Sequence, residues 1–165
     1  MRKIFTAAAA VLTLTACASV QRLDAASDVH KLLLAIRDDD QATFDAHIDR
    51  EALQQEIASR ITEKAVKKDK TGLAALLAPS LAQFAGDTLL QPRVFKTVAE
   101  QYGYTAATKI PGPVAIAGSL KALPDGRVCA TKKKDGPCLL VFTKEQGGWK
   151  LTSFEGDTSL LRIKG

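Results

Sequence analysis

The apolar positions of this chain change their period twice. Ile4 to Leu14 is a near-continuous apolar run behind Arg2-Lys3. Further on, Val29, Leu32, Leu33 and Ile36 recur at helical spacing, with Leu34 widening the stripe. Ser27 or Asp28 can cap the start of that helix. Asp38-Asp39-Asp40 stops it, because acids are unfavourable at the negative end of a helix dipole. Asp40 suits the start of a short helix carrying Ala42, Phe44 and Ile48. Asp49 suits a longer one, Arg50 to about Lys68, in which Leu53, Ile57, Ile61 and Ala65 recur every fourth residue.

After a polar break at Lys67 to Gly72, Leu73, Leu76, Leu77, Leu81 and Phe84 keep helical spacing. Pro79 removes an amide donor there, which predicts a kink or two short helices. Gln91-Pro92 opens another helix, with Val94, Phe95, Val98 and Tyr102 on its buried face and Gly103 as a left-handed stop. The period then becomes two. Val114, Ile116, Leu120 and Ala122 predict a strand with a bulge at Gly118. Pro124-Asp125-Gly126 is a turn, Arg127 to Lys132 and Cys138 to Lys144 are a strand pair, and Gly147-Gly148 is the next turn. Trp149 to Phe154 is a strand with Trp149, Leu151 and Ser153 on one face, and Leu160 to Ile163 a short last strand. The expected class is α+β, with N-terminal helices packed on a C-terminal antiparallel β-meander.

The basic start followed by a short apolar run is the pattern of an export signal, too short for a bilayer core that needs roughly 20 apolar residues. Leu14-Thr15-Ala16-Cys17 resembles the lipobox of bacterial lipoproteins. That resemblance implies cleavage before Cys17, a thioether-linked diacylglycerol on its sulfur and an acylated amine bearing a chain such as palmitate. The alternative is an ordinary secretory signal with an incidental cysteine. The chain then divides into a signal peptide over residues 1–16, a lipidated cysteine with a short tether over 17–26, and one α+β domain over 27–165. Ala18 to Ala26, without periodicity, would reach no more than about 30 Å when extended. Ala18 and Ser19 follow the cysteine with no aspartate directly after it. By resemblance to lipoprotein sorting patterns, this implies the outer membrane, facing the periplasm.

An apolar fraction of 46% excludes a disordered chain. The net charge of +5, lowered further once Arg2 and Lys3 are removed, is no nucleic-acid signature. Asp24 to Glu51 is acid-rich and Lys109 to Lys150 base-rich, which reads as two solvated surfaces. Lys132, Lys133 and Lys134 could instead meet anionic lipid, a short tether keeping them near the head groups. Cys129 and Cys138 remain as an even pair in a chain bound for an oxidising compartment, so a structural disulfide is expected; two reduced or separately buried thiols are the alternative. Direct opposition would leave Ala130 to Pro137 between them, whereas a tight Asp-Gly turn would shift the register.

Candidate chemistry is sparse. His30 and His47 lack metal-ligand spacing and read as surface histidines. Asp38, Asp39 and Asp40 lack the glycine and alternating oxygens of a calcium loop. Ser80 and Ser119, the latter in the expected strand, have no nucleophile elbow around them, and cysteine catalysis would need Cys129 or Cys138 free beside a histidine. No phosphate-binding loop appears, so no cofactor is expected. The function expected is a non-enzymatic, membrane-anchored binding or scaffolding module. Its contacts would be the membrane through the lipid and an envelope protein, with no nucleic acid. A small apolar-ligand carrier, with Phe44, Phe84, Phe95 and Trp149 around a pocket, is the alternative, and a hydrolase the third.

The order of several short pieces adds a resemblance. Leu33 to Asp40, Phe44 through Ile48-Asp49 to Leu53, Thr71-Gly72-Leu73, Gln91-Pro92 and Trp149 to Thr152 resemble domain-of-unknown-function family 2939 over about Val29 to Phe154. The resemblance implies a membrane-tethered envelope domain and supplies no catalytic residues. The lipobox departs from the plain signal or membrane segment expected in many members.

Overall fold

The computed structural model describes residues 5–68, 80, 86, 88–101, 103–133 and 136–154, with backbone alone for 5–17, 61, 64–68 and 101. Helix α1 spans Phe5–Asp38. It starts far upstream of Ser27, so the stretch expected as an irregular tether is helical, and Ala25 and Ala26 within it are fully buried. Small side chains there let the helix backbone approach its neighbours closely, and Val29, Leu32 and Ala35 continue the buried stripe.

The aspartates after α1 act as the sequence suggests. Asp39 takes the left-handed conformation (φ 56°), and Asp40 caps α2, Gln41–Ala46, by accepting from the Thr43 amide at 3.1 Å. Asp49 accepts from the Ala52 amide at 3.0 Å at the start of α3, Arg50–Lys68, where Leu53 and Ile57 are buried. Helix α4, Pro92–Gln101, begins with its proline and ends at Gly103 (φ 86°). Phe95 packs against the core edge-on to Phe44, ring centroids 5.2 Å apart, while Val94 and Val98 are half-buried. The expected helices from Leu73 to Phe84, Tyr102 and the strand from Leu160 to Ile163 lie outside the described residues, Ser80 excepted.

One predicted strand is corrected. Pro113–Ala117 is a short helix, α5, opened by Gly112 and Pro113, and only Leu120–Ala122 is strand β1. Alternate apolar residues do not distinguish one helical turn from a strand. Here Ile116 is buried and Ala117 packs on the core, while Val114 is 79% exposed. Gly118 sits in the right-handed helical region and Ser119 in the following turn, neither in a bulged strand.

Strands β1, β2 (Val128–Thr131), β3 (Cys138–Glu145) and β4 (Gly148–Phe154) form an antiparallel meander in chain order. Ala122, Val128, Phe142 and Leu151 align across it, and the last three join the core beneath the helices with Trp149. The register slips between Val141 and Phe142, so Ser153 pairs with Val141 and does not extend the Trp149–Leu151 row. The α2–α3 linker closes the β4 edge: Asp49 donates its amide to the Leu151 carbonyl and Leu151 donates to the His47 carbonyl, both at 2.9 Å. A covered edge strand presents fewer free amides for stray pairing.

Candidate functional site

Cys17 lies in α1, eight residues before Ala25. At about 1.5 Å per residue, the helix separates them by about 12 Å along its axis. The residues that follow lock this part of α1 to one end of the sheet. Gln21 donates through Nε2 to the Gly126 carbonyl at 2.6 Å, catching the β1–β2 turn. Asp24 Oδ2 accepts from Lys144 Nζ at 2.7 Å and from the Trp149 indole at 2.9 Å. One turn later, Asp28 Oδ2 accepts the Trp149 amide at 2.9 Å and Oδ1 accepts Lys31 Nζ at 2.9 Å.

The β3–β4 turn is shaped for this contact. Gly148 has φ 128°, and a Cβ there would stand 2.7 Å from Asp28 Oδ2. Glycine therefore serves both the turn and the approach of the carboxylate. Hydrogen bonds from Lys144 and then Trp149 hold the Asp24 carboxyl below its ordinary range. Burial pushes the Asp28 carboxyl up, but the Trp149 amide, Lys31 and His47 outweigh it and leave it lowered.

His47 is not the surface histidine expected. Its side chain is only 15% exposed, with Nδ1 at 2.8 Å from the Thr43 carbonyl and Nε2 at 3.7 Å from Asp28. A carbonyl only accepts, so Nδ1 carries a proton, and Nε2 faces Asp28. His30 Nδ1 meets the Pro111 carbonyl at 2.8 Å. Neither the two histidines nor the aspartate triplet forms a metal constellation: among the described residues no group of three or more His, Cys, Asp or Glu could hold a metal ion. The structure thus turns Asp24, Asp28 and His47 into a clamp between elements. Its partners are separated by up to 125 residues in sequence, so no local motif announces it.

Cys129 and Cys138 form a disulfide with Cα atoms 5.5 Å apart. They are not directly opposed: Cys129 pairs with Val141, Cys138 pairs with Thr131, and a slip between Ala130 and Thr131 brings them together. Neither sulfur is then a free nucleophile. Phe44 and Trp149 are core residues, packed among buried side chains, and Phe84 lies outside the described residues.

The basic loop lies between the two cysteine strands, as the strand pair predicts. β3 runs from the clamp at Lys144 back to Cys138, roughly 20 Å at about 3.3 Å per residue. Lys132 and Lys133 therefore sit at the sheet end opposite the one bound to α1 near Cys17. Lys134 lies outside the described residues.

A family model described as Protein of unknown function (DUF2939) matches residues 7–98. The chain belongs to that family. The DUF2939 match starts ten residues before Cys17 and takes in α1 to most of α4. It leaves out Trp149 to Thr152, so the sheet strands stand outside the matched part. No curated protein and no solved structure matches. Among the described residues no helix is long and apolar enough to cross a membrane.

Proposed function

We propose that the chain is a non-enzymatic envelope lipoprotein, held to the outer membrane through acylated Cys17 and presenting its α+β domain to the periplasm as a binding or scaffolding module. The observation that carries this is Leu14-Thr15-Ala16-Cys17 at the end of a basic-then-apolar export segment. The anchor is physically sufficient: one acyl chain gives only marginal attachment, and several make it stable. The clamp supports the scaffolding part of the reading. Asp24, Asp28 and Gln21 couple α1 rigidly to the sheet within three turns of Cys17, so the domain would stand at a set distance from the bilayer.

The test is Cys17→Ser in cells, with the native N-terminal peptide weighed alongside. The native peptide should begin at Cys17 and carry a diacylglycerol and an amide-linked acyl chain. The variant should accumulate uncut and lose acyl labelling. A native peptide with a free Cys17 thiol, or normal processing of the variant, removes the anchor and with it the assigned location.

A further inference from the structure

Among the exposed large apolar side chains, two lie just after Cys17 on α1: Val20 is 69% and Leu23 48% exposed. Three residues apart, they are neighbours on the helix surface, and both are open to solvent where Ala25, Ala26 and Val29 are buried. We infer that this face is a bilayer contact, with Val20 and Leu23 seated in the head-group layer of a phospholipid leaflet beside the acylated cysteine. The inference rests on the lipoprotein reading and names the surface that the domain presents to its membrane.

The position argues for lipid as the occupant. The sulfur of Cys17 would carry diacylglycerol, so its backbone would lie at the interface. Val20 and Leu23 follow it by about 4.5 and about 9 Å along the helix. Apolar faces of interfacial helices enter the head-group and acyl boundary to about 5–10 Å, so both residues fall in that zone. A protein partner on this face would have to share the same few ångströms with the acyl chains.

The carboxylates nearby, Asp24 and Asp28, are already paired. Asp24, on the same face, is paired with Lys144, and Asp28 with Lys31. An unpaired carboxylate beside anionic head groups would oppose the contact; these carboxylates each have a cation within 3 Å. The β1–β2 turn reaches the same level through Gln21, and its Arg127 is paired with Asp125. The far end of α1, at Asp38, lies about 32 Å from Cys17 by helical rise and serves as an internal reference.

The experiment uses full-length protein purified from membranes and reconstituted in phosphatidylethanolamine–phosphatidylglycerol vesicles. Nitroxide labels are placed singly by Val20→Cys, Leu23→Cys and Asp38→Cys, and acylation of each sample is read from the N-terminal peptide mass. With Cys17 acylated, labels at 20 and 23 should collide several-fold less often with a water-soluble nickel chelate than the label at 38, and more often with lipid-dissolved oxygen. Far-ultraviolet circular dichroism checks that each variant is folded, and Val20→Ser with Leu23→Ser, acylated but lacking the apolar pair, should be stripped from vesicles by detergent at lower concentration. Acylated protein whose three labels are equally open to the chelate overturns the contact and leaves the anchor standing. A free Cys17, whatever the labels report, overturns the anchor and this inference together.

Discussion

The two ends of the sheet are held by different means. At one end the β1–β2 and β3–β4 turns meet α1, and Gln21, Asp24 and Asp28 bind them through hydrogen bonds and ion pairs. At the other end the β2–β3 loop is closed by the Cys129–Cys138 disulfide. A covalent link limits the freedom of the unfolded chain it closes. Where a helix lies against the turns, side-chain carboxylates suffice. The comparison makes the first end sensitive to packing and pH and the second to redox.

The largest effect is expected at the first end from Trp149→Ala. Trp149 is 3% exposed and uses its indole on Asp24 and its amide on Asp28. Truncating a buried tryptophan costs about 3–5 kcal/mol. Urea unfolding of the variant should show that loss, together with faster exchange of the Gly126 and β3–β4 turn amides. A loss no larger than that of an exposed site would mean that the clamp does not organise this end.

The covalent end should give the next effect. Replacing both cysteines by alanine removes a cross-link spanning a sequence separation of 9. Closing a ring of about ten residues corresponds to about 2.7 kcal/mol in the loop-entropy account. Unfolding free energies with and without reductant should differ by about that amount in the native chain and coincide in the double variant. Exchange at Trp149 should be unchanged by reduction if the two ends are independent.

Several of these elements could be read from the chain because their causes are local. Asp40 and Asp49 as caps, Gly103 as a stop, Gly126 at a tight turn and the cysteine pair need only near neighbours. The start of α1 was hidden because Asp28 looks like a cap, whereas it spends its carboxylate on Trp149, 121 residues away. His47 was hidden for the same reason: its burial depends on α1 passing over α2. Pro113–Ala117 fell to the ambiguity of a single turn, settled by packing of Ile116 into the core. The separation of the basic loop from the α1 contact followed from topology, which no charge count contains.

The smallest effect also discriminates most sharply between the two ends. Asp28→Asn keeps an oxygen that can accept the Trp149 amide but removes the charge that attracts Lys31. About 1–2 kcal/mol should be lost at neutral pH, the range for a charge-assisted bond reduced to a neutral one. The sign with pH follows from the folded carboxyl lying below its ordinary value of 3.8. The unfolded chain then binds more protons, so stability rises with pH through this window. The contribution is complete above that ordinary value and fades as pH falls through the lowered one. Asp24 acts with the same sign, and its exposed position makes its share smaller. Unfolding midpoints taken at about pH 6 and about pH 3 should therefore fall further for the native chain than for Asp28→Asn. The disulfide exchanges no proton, so the alanine pair should retain the native acid slope. Equal slopes in the native chain and Asp28→Asn would show that the carboxylate is not what ties the β3–β4 turn to the helix.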